Sequence, residues 1–464
     1  MSDEVLRRAA ELATEFLREL PNRHVGARAD RSALMAAMSG PLPEDGEDPL
    51  TVIEALASAA DPGVVAMAGP RYFGFVIGGS LPSTVAAEWL AAAWDQNAGI
   101  YTTSPAASVV EEVAGTWLLE LLDLPATASV GFVTGGQMAN FTCLAAARHA
   151  VLARAGWDVE ADGLADAPPV TVIVGEEAHA TALTALGYLG LGRERAVRVP
   201  TDEQGRLRID GLAERLRTVR GPLIVCLQAG NVNTGAFDDA AAAIAAVRQH
   251  DDRAWVHVDG AFGLWARASS ELRDRAAGLE GADSWAVDGH KWLNVPYDSG
   301  YAIVADPAAH VAALAPAAGA YIQYATAERD SFNYVPEYSR RARGFATWVA
   351  IRTLGRSGIA AMLERCCAIA RRMADRLAAA EGVEVLNDVV LNQVLVRFHP
   401  PLGGDADAHT RSVVARVQAD GTAWLAATTW HGMAAMRISV SNWSTTDADA
   451  DLTVDNILRC AAPA

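Results

Sequence analysis

The middle of the chain alternates short apolar runs with helical patterns, and this alternation constrains the fold more than any other feature. The runs are rich in β-branched residues and have no polar face, which is typical of strands buried on both sides. They lie at 130–133, 170–174, 223–227, 254–258, 284–287 and 301–304. Helical stretches separate them, so the pattern predicts an α/β fold with a mainly parallel central sheet.

Regions of different character flank this α/β stretch. The first 81 residues show helical patterns near 4–20, 31–38 and 48–60, separated by Pro and Gly. Beyond Arg343, we expect helices over 345–354 and 359–380 and strands over 390–398 and 436–440. The sequence therefore predicts an N-terminal helical segment over 1–81, a large domain over 82–345 and a small C-terminal α+β domain over 346–464.

Composition excludes several classes of protein. With 464 residues, 51% of them hydrophobic, the chain can bury a large core without disulfides. Its 5 cysteines are odd in number and form no C-x-x-C pair, which argues against a disulfide framework or zinc ribbon and favours a reducing cytoplasm. The net charge of -18 argues against nucleic acid and anionic membranes as partners. The sequence shows neither a signal peptide nor an apolar run approaching the ~20 residues of a membrane span.

One basic residue is exceptional. Lys and Arg together number 38, and Lys291 is the single lysine among them. Arginine stays protonated and forms no Schiff base, whereas a buried lysine can lose its proton and become a nucleophile. Composition alone also allows chance, so the weight of this observation depends on the neighbours of Lys291.

Four candidate features follow the predicted strands, at the edge where open α/β sheets bind ligands. The turn Thr134–Asn140 contains paired glycines and precedes a helix, an arrangement that brings backbone N–H groups to an anion. His179 follows the second run and Asp259 ends the fourth. The segment Asp288–Trp292, which reads Asp-Gly-His-Lys-Trp, follows the fifth.

Each feature alone also has a structural explanation. The glycine pair can be a tight turn, His179 a structural histidine, and Asp259 an ion-pair partner or helix cap. His257 and Asp259 can also be interpreted as metal ligands, although no third ligand stands out. Together, the features supply an anion cradle, an aromatic cover, a buried acid and a Schiff-base lysine, which pyridoxal 5′-phosphate (PLP) requires.

The same residues carry a resemblance to a known family. Asp259-Gly-Ala, 32 residues before Lys291, resembles the group II PLP-dependent amino-acid decarboxylases, which include aromatic-L-amino-acid, tyrosine, histidine and glutamate decarboxylases. Ala178-His179 and Ser339–Arg343 strengthen the resemblance, which runs from about residue 65 to the C-terminus. It implies a fold-type I, aspartate aminotransferase-like homodimer with shared active sites and an N-terminal segment swapped across the dimer.

The resemblance also implies catalytic roles. Lys291 would hold PLP as a Schiff base, Asp259 would pair with the pyridinium nitrogen, and His179 would stack on the ring. Tyr321 looks like the mobile-loop tyrosine that protonates the substrate carbon in decarboxylating members. Tyr324 is a second candidate for that tyrosine, and His179 is the alternative acid.

Further cofactor contacts are implied in the same way. Gly136, Gln137 and His290 would cradle the phosphate, and Ala261 would pack beneath the ring. Two positions depart from the family pattern. Threonines are usual where the stretch beginning at Gly230-Asn231 stands, so the partner of the ring oxygen is open. Asp288 adds a carboxylate near the phosphate, and it needs a compensating donor.

Segments 70–79 and 96–103 resemble the family's substrate pocket, the second reaching in from the partner subunit. The candidate pocket residues are Phe73, Phe75, Ile77, Asn97 and Tyr101. Both segments carry little charge, which favours an aromatic or apolar side chain over glutamate, since only Arg71 offers a cation. Arg437 is either a ligand of the substrate carboxylate or a structural ion-pair partner.

The sequence therefore predicts a cytoplasmic PLP-dependent enzyme of amino-acid metabolism that decarboxylates an L-amino acid to an amine and CO2. Aldehyde-forming oxidative deamination, transamination and another lyase reaction on the same fold remain alternatives. Tyr321 argues against aldehyde formation. A non-enzymatic protein with a degenerate site is a further class, against which the complete set of Lys291, Asp259 and His179 argues.

Overall fold

The computed structural model describes residues 2–315, 328–401 and 403–462. Tyr321 and Tyr324 lie outside the described residues, so their proposed role as proton donors stays a prediction. The helices are α1 Ser2–Glu19, α2 Arg31–Met38, α3 Pro49–Ala60, α4 Pro82–Trp94, α5 Pro105–Leu121, α6 Gly136–Ala153, α7 Val159–Asp162, α8 Ala180–Tyr188, α9 Ile209–Thr218, α10 Ala240–His250, α11 Pro307–Leu314, α12 Gly344–Ala378, α13 Ala406–Asp420 and α14 Asp447–Ala461.

The strands form two sheets. They are β1 Ser129–Val133, β2 Thr171–Gly175, β3 Val197–Val199, β4 Leu223–Gln228, β5 Trp255–Asp259, β6 Ser284–Asp288, β7 Gly300–Val304, β8 Val383–Val385, β9 Gln393–Phe398, β10 Ala426–Trp430 and β11 Met433–Ser439. A 7-stranded sheet has the order β1-β7-β6-β5-β4-β2-β3, and a 4-stranded sheet has the order β10-β11-β9-β8.

The predicted mainly parallel sheet is confirmed. Strands β3, β2, β4, β5 and β6 pair in parallel, and β7 runs antiparallel to both β6 and β1. Four strands of this sheet, β1, β5, β6 and β7, are buried along their whole length, which explains why their sequences lack a polar face. Helix α6 packs across β5, β6 and β7.

The flanking regions match the expected elements more closely than the expected boundaries. The three N-terminal helices form where the sequence predicts them, and α12 has a break at Gly355, where φ is 62°. The C-terminal sheet contains β9 and β11 as expected, together with β8 and β10, which the sequence does not indicate. The domain boundaries at residues 81 and 345 stay a prediction.

The parallel strands bring the candidate residues to one edge of the large sheet. Asp259 ends β5 and Asp288 ends β6, and the register sets Asp259 opposite Ala286. Gln228, at the end of β4, lies opposite Asp259 on its other side. The carboxyl ends of three neighbouring strands therefore meet where open α/β sheets bind ligands.

Candidate active site

Lys291 lies in the turn after β6, beside a buried carboxylate. Its Nζ is 2.9 Å from Oδ2 of Asp288, whose side chain is 2% exposed. The backbone N–H of Gly136 donates to Oδ1 of the same carboxylate, and Nε2 of His290 lies 3.3 Å from that oxygen. Asp288 thus has the compensating donors that a buried carboxylate requires. The Gly136 amide, expected to bind phosphate, donates to Asp288 in this structure.

His290 is held on two sides. Its Nδ1 accepts from the backbone N–H of Ser299 at 3.1 Å, and its ring stacks on Tyr297 with centroids 4.1 Å apart. In the neutral ring the proton therefore lies on Nε2, which faces Asp288. Burial lowers the pKa of His290, opposed by the negative charge of Asp288, so the neutral form is favoured.

Asp259 is a buried acid with partners on both oxygens. Oδ2 accepts from Nδ2 of Asn140 at 3.1 Å, and Oδ1 accepts from the backbone N–H of Ala261 at 3.3 Å. The side of β5 on which Asp259 lies also receives α6, which carries Asn140. A carboxylate fixed in this way can face a cationic ring nitrogen without turning away.

His179 is the N-cap residue of α8. Its Nδ1 lies 2.7 Å from Oγ1 of Thr181 and accepts from the Thr181 N–H at 3.3 Å. Burial lowers the pKa of His179; the charge of Asp259 opposes this, whereas those of Lys291 and Arg437 add to it. His179 is therefore within electrostatic reach of these three residues, and its neutral ring is favoured near pH 7.

The glycine turn leaves no room for side chains. A Cβ at Gly135 would lie 2.7 Å from Cε1 of His290, and one at Gly136 would lie 2.7 Å from Oδ2 of Asp288. Gly136 begins α6, and Gln137 follows it as a half-buried second residue of the helix. The site thus combines the amine of Lys291, the buried carboxylate of Asp259, the imidazole of His179 and the N-terminus of α6. This set of groups fits PLP.

Segment 70–79 passes directly against the lysine turn. The backbone N–H of Gly78 donates to the carbonyl of His290 at 3.2 Å, and a Cβ at Gly78 would lie 1.7 Å from the carbonyl oxygen of Lys291. Phe75 is 56% exposed, and its ring stacks on Trp424 at 5.7 Å. The segment that packs against Lys291 at Gly78 therefore also carries an accessible aromatic ring at Phe75.

The other pocket candidates lie in different surroundings. Phe73 is 1% exposed and packs in the main hydrophobic core, and the half-buried Ile77 packs against a small cluster that contains Tyr72. The amide oxygen of Asn97 accepts from the N–H of Arg340 at 3.2 Å, and the backbone N–H of Tyr101 donates to Oδ1 of Asp330 at 2.8 Å. Within one chain, Asn97 and Tyr101 therefore contact the 330–340 segment.

The two arginines considered for substrate binding differ in their partners. Arg71 donates to the carbonyls of Thr422 and Pro21 and lies 3.5 Å from Asp449, so its charge is committed to the fold. Arg437 is 7% exposed, and its contacts are with the carbonyls of Val232 and Phe75. No described residue forms an ion pair with Arg437.

The Ser339–Arg343 motif has a structural basis. Arg340 is fully buried and donates to Glu111 and to the carbonyls of Ala98 and Phe132. It thereby joins α5, the 96–103 segment and β1. The sequence does not indicate a role for Asn140, which reaches Asp259 from α6, because the motif Thr134–Asn140 stands out only through its glycines.

The described parts of the chain contain neither a cluster of metal-ligating side chains nor a helix that could span a membrane. No group of three or more His, Cys, Asp or Glu side chains there could hold a metal ion, and His257 instead bonds to Asn140 and Ser284. None of the described helices has both the length and the apolar character needed to cross a membrane. A cytoplasmic location stays a prediction.

Known proteins share both the sequence pattern and the fold. Residues 32–399 match the family model "Pyridoxal-dependent decarboxylase conserved domain". An aromatic-L-amino-acid decarboxylase from Bacillus atrophaeus is 26% identical over 84% of this chain and 80% of its own length. An L-2,4-diaminobutyrate decarboxylase from Rhizobium meliloti is 29% identical over 77% of this chain and 71% of its own length. The crystal structure of Oryza sativa TDC with PLP and tryptamine has a TM-score of 0.91 at 22% identity, covering 99% of this chain and 97% of the other.

The sheet order, the lysine turn and the structural match define a fold-type I PLP-dependent enzyme. The match over residues 32–399 is more specific, and the chain belongs to the pyridoxal-dependent decarboxylase family. It is thus a carboxy-lyase that uses PLP to decarboxylate an amino acid. The relatives act on side chains of different chemistry, so the family alone leaves the substrate open.

Proposed function

We propose that this enzyme decarboxylates an L-amino acid with an aromatic or apolar side chain, with Lys291 as the residue that carries PLP. One observation supports the substrate class. Phe75 lies on the segment that packs against Lys291, and its exposed ring stacks on Trp424. Arg71, the only cation of that segment, is already held by carbonyl groups and Asp449. An acidic side chain would therefore find no free cation in this segment.

Bound PLP supplies an electron sink for the bond that breaks when the carboxylate leaves as CO2. The chain's own residues prepare this step. Lys291 offers the amine that links to the cofactor, beside the carboxylate of Asp288. Asp259 presents a fixed negative charge that would keep a proton on the ring nitrogen, and His179 would cover the ring as a neutral imidazole.

Arg437 is our candidate for the substrate carboxylate. Its guanidinium is buried without an ion-pair partner among the described residues, and it donates to the carbonyl of Phe75 at 3.5 Å. A buried cation of this kind forms strong charge-assisted bonds with an incoming carboxylate. Holding the carboxylate there would set the orientation of the bond to be broken, which decides the reaction.

We also propose a homodimer with shared active sites. Helix α4 exposes Trp89, Leu90 and Trp94 at 44%, 51% and 49%, which is much apolar surface for one helix of a monomer. Asn97 and Tyr101, expected to reach a partner's site, lie in the loop that follows this helix. A sedimentation measurement that gives a monomer at micromolar concentration would contradict the dimer.

Product analysis tests the proposed reaction. The PLP-loaded protein is incubated with a panel of aromatic, aliphatic, acidic and basic L-amino acids, and mass spectrometry identifies what forms. We expect an amine lighter than its substrate by one CO2, with the highest kcat/KM for aromatic or apolar side chains. An aldehyde or keto acid as the main product would contradict decarboxylation, and a preference for glutamate would contradict the substrate class.

A matched pair of variants tests the pocket. Phe75→Ser removes the exposed ring beside Trp424, whereas Tyr188→Ser removes an aromatic ring that is 64% exposed at the end of α8. We expect Phe75→Ser to raise KM for the aromatic substrate about tenfold, and Tyr188→Ser to leave it unchanged. Equal KM values for both variants would exclude Phe75 from the pocket.

A further inference from the structure

A chain of buried polar side chains leads from Asp259 into the protein interior. The indole Nε1 of Trp255 donates to Oγ of Ser284 at 2.9 Å, and that Oγ lies 2.9 Å from Nδ1 of His257. Nε2 of His257 lies 2.8 Å from Oδ1 of Asn140, whose Nδ2 lies 3.1 Å from Oδ2 of Asp259. Apart from Asp259, every member is 0% exposed.

The donors in this chain can all point the same way. An ionised Asp259 only accepts, so Asn140 must present its NH2 to Asp259 and its carbonyl oxygen to His257. The carbonyl oxygen in turn requires the N–H of a neutral His257 on Nε2, which leaves Nδ1 to accept from the hydroxyl of Ser284. Trp255 can only donate, and it donates into the same hydroxyl oxygen.

His257 is neutral under ordinary conditions, because burial lowers its pKa to about 4. The neutral ring has one donor and one acceptor, as the chain of bonds requires. Hydrogen bonds aligned head to tail polarise one another, so the last of them is stronger than an isolated amide contact.

We propose that Asn140, His257 and Ser284 act as positioning residues that hold the carboxylate of Asp259 in place, aimed at the ring nitrogen of PLP. The inference rests on the proposed function, in which Asp259 pairs with that nitrogen. If these hydrogen-bonded side chains served packing alone, apolar side chains of similar volume could replace them with little loss of stability, since satisfied polar groups in a core add little net stability.

The test uses PLP labelled with 15N in its ring, because the 15N chemical shift reports the protonation of that nitrogen directly. His257→Leu removes both hydrogen bonds of the histidine, to Ser284 and to Asn140, whereas His257→Gln retains one donor and one acceptor. His310→Leu is the matched control, since His310 is equally buried and bonds to Oγ of Ser129 at 2.8 Å and to the carbonyl of Tyr334 at 3.0 Å.

We expect His257→Leu to move the 15N shift toward the unprotonated value and to weaken PLP binding about tenfold, which corresponds to about 1.4 kcal/mol. We expect His257→Gln to restore most of the shift, and His310→Leu to leave it unchanged. A His257→Leu protein that folds and keeps the wild-type 15N shift would overturn the proposal.

Two measurements separate the possible failures. Asp259→Asn must change the 15N shift if Asp259 pairs with the ring nitrogen; no change there would overturn the proposed function itself. If His257→Leu does not fold, the tautomer of His257 is determined instead from 15N spectra of the wild-type histidines. The signal of His257 is identified as the one that is missing in His257→Gln. The proposal requires the tautomer protonated on Nε2, and a proton on Nδ1 would overturn it.

Discussion

Gly78 is where segment 70–79 meets the lysine turn, and Gly78→Ala tests that contact. The added Cβ would lie 1.7 Å from the carbonyl oxygen of Lys291, 2.8 Å from its carbonyl carbon and 3.2 Å from the carbonyl oxygen of His290. All three atoms belong to the backbone, so no side chain can rotate away. The two segments must separate by more than about 1 Å to reach ordinary van der Waals contact.

Two consequences follow from this displacement. Overpacking a buried site costs about 1–3 kcal/mol of unfolding free energy. Moving a reacting group by ~1 Å lowers the rate by about 100-fold, so we expect kcat/KM to fall by about that factor. Urea denaturation measures the first quantity, and initial rates of amine formation at saturating PLP measure the second.

Gly187→Ala is the matched control, because Gly187 is exposed in α8 and a Cβ there meets no atom within 4 Å. We expect this variant to be as active as the wild type and slightly more stable, since alanine favours the helix over glycine. If Gly78→Ala keeps wild-type activity and stability, segment 70–79 does not pack against Lys291 as described.

Other predictions concern buried charges. Arg437→Met should raise KM for the amino acid about 10- to 100-fold with a smaller effect on PLP affinity, and an unchanged KM would remove Arg437 from the substrate site. Arg340→Leu leaves Glu111 buried without its ion-pair partner, so urea denaturation should show a loss of about 3–5 kcal/mol, and a loss below ~1 kcal/mol would contradict this. Burial lowers the pKa of His257 to about 4 and that of His310 to about 3. In the unfolded state both histidines bind protons below about pH 6.5, whereas in the folded state they stay neutral. As the pH is lowered from 6.5 to 4, the free energy of unfolding should therefore fall by about 1.4 kcal/mol per pH unit for each histidine. The urea midpoint of His310→Gln should therefore depend less steeply on pH than that of the wild type. An equally steep pH dependence would contradict the lowered pKa of His310.

The strands that could be predicted are those whose burial leaves a mark on the sequence. β5 and β6 are buried on both faces, so both appear as apolar runs. The missed β3 and β8 have only 3 residues each, and β10 alternates buried with exposed positions as Ala-Ala-Thr-Thr-Trp. Pairing with neighbouring strands forms these elements, and a single segment does not encode its neighbour.

The site divides in a similar way. Lys291 and Asp259 could be recognised because each stands out chemically at the end of an apolar run. Asn140 could not, because its contacts join it to residues more than a hundred positions away. Ser284 could not, because its partners lie on the neighbouring strand β5, 27 and 29 positions earlier in the chain. Arg71 shows the opposite limit: the sequence offers it as a free cation, and the structure commits it to backbone carbonyls.

The presence of one lysine allows a direct test of the central claim that Lys291 carries the cofactor. Borohydride reduction of the PLP-loaded protein converts the lysine–cofactor linkage into a stable secondary amine, which intact-mass and peptide mass spectrometry can locate. We predict a single adduct per chain on the peptide that contains Lys291, and no adduct in Lys291→Arg. An adduct on the N-terminal amine with Lys291 unmodified, or no adduct despite bound PLP, would contradict the account.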